Sequence, residues 1–299
     1  MFSQCLRRIR PCTIFVLLVC SQLTAVHSAV AKSFVWKVTS PTAIVYLLGS
    51  IHMGVPSMYP LPKMVEEAYN KADYLVVEVN ANSMNKPEFQ QRMLEGGFYP
   101  GTQTLQDHVD GRLYRQLTSF LVRQGIPEQP FVKMKPGMLA ITLSMVYMQQ
   151  LGYSPGLGVD MHFMNEANLQ HKPILELETA QAQMDLLLSF SDDALLLKQT
   201  LSQLGSMKEM TTGMVSSWKT GNADALNKLI IKDPLQKNPE FLPFTKKLIF
   251  DRNVTMAKKI QAYLSGKGTY FVIVGAGHLV GDKGIISLLR GDGFNSVQF

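Results

Sequence analysis

Cysteine is scarce in this 299-residue chain, with three copies at Cys5, Cys12 and Cys20. Residues 32–299 therefore have no disulfide, no thiol nucleophile and no thiolate metal ligand. Several catalytic signatures are missing too. No P-loop is present, and Gly275-Ala276-Gly277 lacks the third glycine and acidic partner of a dinucleotide fingerprint. No Gly-x-Ser-x-Gly marks a hydrolase serine, and no helix carries paired zinc histidines. Charged residues make up only 17% against 46% hydrophobic, which excludes global disorder and allows a sizeable core. Imidazole, carboxylate, hydroxyl and metal chemistry remain.

The three cysteines sit in a stretch that reads as a secretory leader. Arg7, Arg8 and Arg10 form its basic start, and Thr13 to Val26 a short apolar segment. Cleavage is expected after Ala31, with Ser28 as the alternative. An uncleaved anchor fits less well, because the apolar stretch is short for a spanning helix. A lipoprotein site at Cys20 is weaker still. Loss of residues 1–31 removes three of 29 basic residues and none of the 23 acidic ones, leaving a net charge of +3. That is too mild for nucleic acid. The expected product is a periplasmic or secreted protein without a stable membrane anchor, with residues 32–299 as one domain.

Two short stretches organise the remainder of the chain. Ile44 to Leu48 is an apolar run that stops at Gly49 and is followed by Ser50-Ile51-His52. Tyr270 to Val274 repeats the device, stopping at Gly275 before Ala276-Gly277-His278. Each run reads as a buried strand, which puts each His just past a strand's C-terminal end, where open α/β sheets bind ligands. The bland alternative is two buried strands whose histidines bond loop carbonyls.

Phe34–Val38 and the Ile44 strand predict a hairpin, followed by a helix from about Pro62 to Ala72. Tyr74–Asn80 is the next strand, with Glu78 breaking the apolar run near its end. A charge there is costly unless it is paired or bound. Strand, helix, strand is a right-handed crossover, so the Glu78 strand is expected to be parallel and adjacent to the His52 strand. Helices follow over 85–150, one with Asn85 as its cap, and Pro136–Leu151 reads as buried. Asp160 and His162, two apart, point to different sides of a helix, and Asp160 is expected as its cap. His108 and His171 are expected at the surface. Pro173–Thr179 predicts a strand ending at Glu178, either a site carboxylate or a favourable charge at the next helix's start. Residues 180–264 read as helical, with breaks at Ser191-Asp192, Gly221-Asn222 and Pro234–Pro243, and Trp218 packing a helix end. Arg252 lies mid-way along a helix over Phe244–Leu264, either solvated or facing the site to hold an anionic group. A last helix over 284–289 and an edge strand over 295–299 complete the chain.

His52, Glu78 and His278 thus come from three strand ends. Two imidazoles and a carboxylate are a common first set of ligands for a catalytic divalent metal with open positions. Glu178 or Glu78 could act as general base. A metal-free site with one His as base, oriented by Glu78, uses the same residues.

The motifs resemble those of the TraB/GumN family, whose animal relatives include the Tiki proteases. The resemblance rests on Leu48–His52, Leu75–Val79, Lys135-Pro136, Gly158-Val159-Asp160, Leu177-Glu178-Thr179 with Gln183, Arg252-Asn253 with Met256-Ala257, and Val274–Leu279. Gly137 departs from it where a Trp is expected. The resemblance implies an α/β fold with a central mixed or parallel sheet, flanking helices and helical insertions, like the erythromycin-esterase and ChaN group. It also implies metal-dependent proteolysis through His52, Glu78 and His278, with manganese or cobalt favoured and zinc possible, Glu178 and Arg252 assisting, and a peptide or protein substrate. The alternatives are a metal-free esterase-like hydrolase and a non-catalytic protein that binds haem, metal or peptide in the same cleft.

Overall fold

The central strands of the sheet are runs too apolar to face water on either side. In the computed structural model, which describes residues 32–80, 83, 86–190 and 194–299, strands β1 (Val35–Thr39) and β2 (Ala43–Ser50) form the expected antiparallel hairpin. Seven of the eight β2 residues are buried, so both faces of this strand are covered. Helix α1 (Lys63–Lys71) buries Val65, Ala68 and Tyr69 and leads into β3 (Tyr74–Val77). The expected leader, the Asn85 cap and the break at Ser191-Asp192 lie outside the described residues.

Between β3 and β4 (Ile174–Glu176) run α2 (Pro87–Gly97), α3 (Gly111–Gln124), α4 (Pro136–Gln150) and α5 (Val159–Leu169). After β4 come α6 (Ala180–Leu188), α7 (Ala194–Leu204), α8 (Met207–Lys219), α9 (Ala223–Asn227), α10 (Asp233–Lys237), α11 (Leu242–Thr245) and α12 (Asp251–Ser265). Strand β5 (Gly268–Gly275), the short α13 (Ala276–Leu279), α14 (Ile285–Gly291) and β6 (Asn295–Gln298) finish the fold. The sheet is mixed, in the order β4-β3-β5-β2-β1-β6. Strands β4, β3, β5 and β2 are parallel, and β1 runs against β2 and β6.

This order corrects one expectation. The His52 and Glu78 strands are parallel but not adjacent, because β5 pairs with both. The crossover rule governs direction and hand; it does not exclude a later, more apolar strand from the gap. The register aligns Ser50 with Gly275 and Val77 with Ile273 and Glu176. All four parallel strands therefore end at one edge.

Three apolar clusters form the core. The main one joins the sheet to α1, α5, α12 and α14; in it Phe163 lies 4.9 Å from the rings of both Tyr69 and Phe271. A second lies among α3, α4 and α7, and a third gathers Phe190, Phe241 and Phe244. Helix α4 buries Pro136–Ala140 and Leu143 but leaves Met145 44% exposed, so it is not buried all round. Trp218 is buried near the end of α8, and its Nε1 donates to the Gly49 carbonyl at 2.6 Å, tying the helical segment to the end of β2.

Two further expectations need revision. Pro234–Pro243 is not a simple break, since α10, a 3-10 turn over Pro239–Phe241 and α11 occupy most of it. The long helix read over Phe244–Leu264 is interrupted by a π-helical segment over Lys246–Phe250, and a second π segment covers Lys228–Lys232. Such insertions of one extra residue leave no clear mark in apolar periodicity.

Candidate active site

Five side chains singled out by sequence, His52, Glu78, Glu178, Arg252 and His278, meet at the C-terminal edge of the sheet. Gly275 is the point on which three of them converge. A Cβ there would stand 3.0 Å from His52 Nε2, 3.4 Å from Glu78 Oε1 and 3.5 Å from His278 Cδ2. The missing side chain is what leaves room for the groups to face one another.

His278 is buried beneath this point, and its tautomer follows from its neighbours. Asn253 Nδ2 donates to the Lys283 carbonyl at 2.7 Å, which turns Asn253 Oδ1 toward His278 Nδ1 at 2.6 Å. The oxygen only accepts, so Nδ1 carries the proton and Nε2 presents its lone pair to the site. His52 is held in a similar way. Its Nδ1 lies 3.2 Å from Asp160 Oδ1, which also accepts from Ser50 Oγ at 2.6 Å. Gly158 makes this contact possible. A Cβ at Gly158 would lie 2.4 Å from the His52 carbonyl, so α5 could not otherwise start so close to the β2 turn. Metal-binding and catalytic imidazoles are typically oriented in this way through the second ring nitrogen.

The carboxylates are tied together by one guanidinium. Glu78 Oε1 accepts from the Gly275 N–H at 2.5 Å, and Oε2 from Arg252 Nη2 at 2.6 Å. Arg252 Nη2 also reaches Glu178 Oε2 at 2.7 Å, and its Nε lies 3.0 and 3.1 Å from the two Glu178 oxygens. Its Nη1 donates to the Leu248 carbonyl at 3.0 Å and approaches His278 Nε2 at 3.3 Å. Gln183 Nε2 donates to Glu178 at 3.0 Å and lies 3.4 Å from Glu78. Arg252 therefore faces inward, from the first turn of α12 just after the π segment.

The surroundings push the two imidazoles apart in basicity. Burial opposes charge on His52, but the hydrogen bond and charge of Asp160, with Glu78 behind them, outweigh it and push its pKa up to about 9. Burial, against the attraction of Glu78, holds His278 down to about 4. Burial also opposes ionisation of Glu78, yet His278, Arg252, His52 and the Gly275 N–H bring it down to about 2. The His278 contribution needs a charged ring, so at neutral pH Arg252, His52 and the N–H sustain the effect.

Sequence reasoning missed three members of this cluster as site residues. Asp160 was expected to cap α5, but Gly158 occupies that position and Asp160 holds His52 instead. Asn253 and Gln183 carried a signal only as parts of motifs. His108 and His171 are exposed as expected, and His162 lies 3.3 Å from Glu66 in a separate pairing.

The donor set bears on a divalent metal. The Nε2 atom of His278, that of His52 once its proton is lost, and the Glu78 carboxylate are suitable chemistry, and these are the residues that would hold the ion. Among the described residues, however, no three such side chains stand in ready-made coordinating positions. Arg252 already engages Glu78 Oε2 and His278 Nε2.

The fold and site define an α/β protein with a two-His, two-Glu, one-Arg cluster at the C-terminal edge of a mixed sheet. The TraB/PrgY/gumN family model matches residues 34–298, and the chain belongs to that family. The chain is similar to the uncharacterised protein YbaP of Escherichia coli (strain K12), with 29% identity over 252 aligned positions that cover 82% of this chain and 87% of the relative. YbaP of Shigella flexneri gives the same figures. It is also similar to the metalloprotease TIKI1 of Danio rerio, with 22% identity over 314 aligned positions covering 88% of this chain and 62% of the relative. No solved structure matches the chain.

Proposed function

We propose that this chain is an exported hydrolase of the peptidase kind, metal-dependent, acting in the periplasm or outside the cell through His52, Glu78 and His278. The observation that carries the reading is the convergence over Gly275 of two imidazoles, each held by its Nδ1 and each presenting Nε2 beside one carboxylate. The distant similarity to a protein named as a metalloprotease supports it. A divalent ion, manganese or cobalt by the family resemblance with zinc as the alternative, would supply Lewis acidity toward a scissile carbonyl. Asn253 and Asp160 orient the two rings. Gln183 donates to Glu178, and Glu178 accepts from Arg252, whose guanidinium sets the position of Glu78. Likeness to the erythromycin-esterase and ChaN group is part of the same proposal.

A second reading is favoured by the place of Arg252 and the opposed basicities of the histidines. Groups whose environments push their pKa values apart can divide acid and base roles. Neutral His278 would take a proton from water and charged His52 would return one to the leaving group, with Arg252 holding Glu78 in place and no metal taking part.

The test is a defined peptide library offered to the purified protein with manganese, cobalt, zinc or chelator. The proposal expects cleavage that chelator abolishes and that His52→Ala and His278→Ala each lose while the far-UV spectrum is unchanged. Cleavage that persists in chelator favours the metal-free reading, and no cleavage under any condition favours a binding protein.

A further inference from the structure

The two π segments share an unexpected destination. Each interrupts a helical run, one between α9 and α10 and the other between α11 and α12. Each places one isoleucine, Ile230 or Ile249, on the wall of the same recess of about 270 Å3. Met53, Met148 and Met214, with Ser50 and Ile51, complete the wall, and His52, His278 and the Gly275–Gly277 backbone form the side next to the site. The lysines of both segments, Lys228, Lys232, Lys246 and Lys247, stay exposed. An extra residue in a helical turn rotates the residues beyond it, and single π turns are frequent at functional sites. Here both turns place an apolar side chain at the histidines and keep the charges in water.

The contents of the recess narrow its ligand. It offers methionine and isoleucine side chains and no charged group besides the histidines. Its volume is below the roughly 300–1,000 Å3 of a site for a drug-sized ligand, so it suits a single side chain. Met148, Met214, Ile230 and Ile249 are only partly buried, leaving apolar surface open beside the imidazoles. Methionine walls adapt to unbranched and branched aliphatic groups alike. Ile230 fits closely: a Cβ on Gly277 would meet its Cδ1 at 3.1 Å.

We propose that this recess is the subsite for one aliphatic side chain, of leucine or methionine size, on the residue next to the bond being cut. This rests on the hydrolase reading above, and it assigns Met148, Met214, Ile230 and Ile249 as specificity-determining residues. Polar and acidic residues are disfavoured there, because Asp160 already engages Ser50 Oγ and His52 Nδ1 and the rest of the wall would strip them of water. Alanine is accepted poorly, since it leaves most of the wall uncovered.

The subsite can be tested without turnover. The protein is labelled with 13C-methyl methionine and titrated with N-acetyl-leucinamide, N-acetyl-methioninamide, N-acetyl-alaninamide and N-acetyl-aspartamide. The Met148 and Met214 methyl signals are expected to shift with the leucine and methionine compounds, with affinity at least tenfold tighter than for the alanine or aspartate compounds. Ile230→Phe should weaken the leucine compound at least tenfold by filling the recess. Ile249→Ala should enlarge it and move the preference toward N-acetyl-phenylalaninamide, which covers the case in which the first variant does not fold. Equal shifts with all four compounds, or shifts confined to other methionines, overturn the proposal. Leucine-dependent shifts in a protein that cleaves nothing from the peptide library support the subsite and overturn the hydrolase reading. Cleavage indifferent to the residue beside the bond overturns the subsite and leaves the hydrolase reading standing.

Discussion

Asp160 Oδ1 lies 3.2 Å from His52 Nδ1, although 108 positions separate the two in sequence. This contact, rather than anything near His52 in the chain, raises the basicity of the ring. Asp160→Asn removes the charge with little change of shape. The His52 pKa is then expected to fall from about 9 toward its ordinary value of 6.5. An NMR titration of the imidazole resonances checks this; an unchanged midpoint would contradict it.

Three groups give stability a defined pH profile. His52 has a raised folded pKa, so its contribution is complete below 6.5 and lost as pH rises through about 9. His278 has a lowered one, so the unfolded chain takes up protons first and stability falls as pH drops from 6.5 toward 4. Glu78 is lowered to about 2, so its contribution is present above 4.5 and is lost below that as pH falls through about 2. Urea unfolding across this range should show greatest stability near pH 6.5, and His52→Gln should flatten the alkaline side. The side chain of His52 is 60% exposed, which makes that side the shallower one.

Asn253 is fully buried between His278 Nδ1 and the Lys283 carbonyl. Asn253→Ala leaves both without a partner and should lower unfolding free energy by about 1–3 kcal/mol. It also frees His278 to adopt the other tautomer. Any turnover should fall further than the loss of folded protein explains, as comparison of urea unfolding with rate per folded molecule will show.

Arg252 is the only guanidinium bonded to Glu78 and Glu178 among the described residues. Arg252→Met should destabilise the fold by about 3–5 kcal/mol, because two nearly buried carboxylates lose their common counter-charge. Adding Glu178→Gln should recover part of that loss. Additive losses in this double-mutant cycle would contradict the shared network.

The parts visible in the sequence were those with a local cause. The β2 and β5 runs, their Gly-x-x-His endings and the Glu78 interruption each stand out within about ten residues, and they lead directly to the sheet edge. The order of the strands did not stand out, since the place of β5 between β2 and β3 is decided by pairing across the whole chain. Asp160 looked like a helix cap because its bond to His52 depends on the close approach of α5 at Gly158. Arg252 reads in the sequence first as a solvated charge, because the π segment before it alters the helical face that spacing would assign.

The most direct test is the metal content of the gently purified protein beside His52→Ala/His278→Ala, before and after supplying manganese, cobalt or zinc. Close to one ion per chain is expected in the unaltered protein and little in the double variant, with both equally folded. No ion in either protein under any of these conditions, or equal amounts in both, would contradict a metal held by His52, Glu78 and His278.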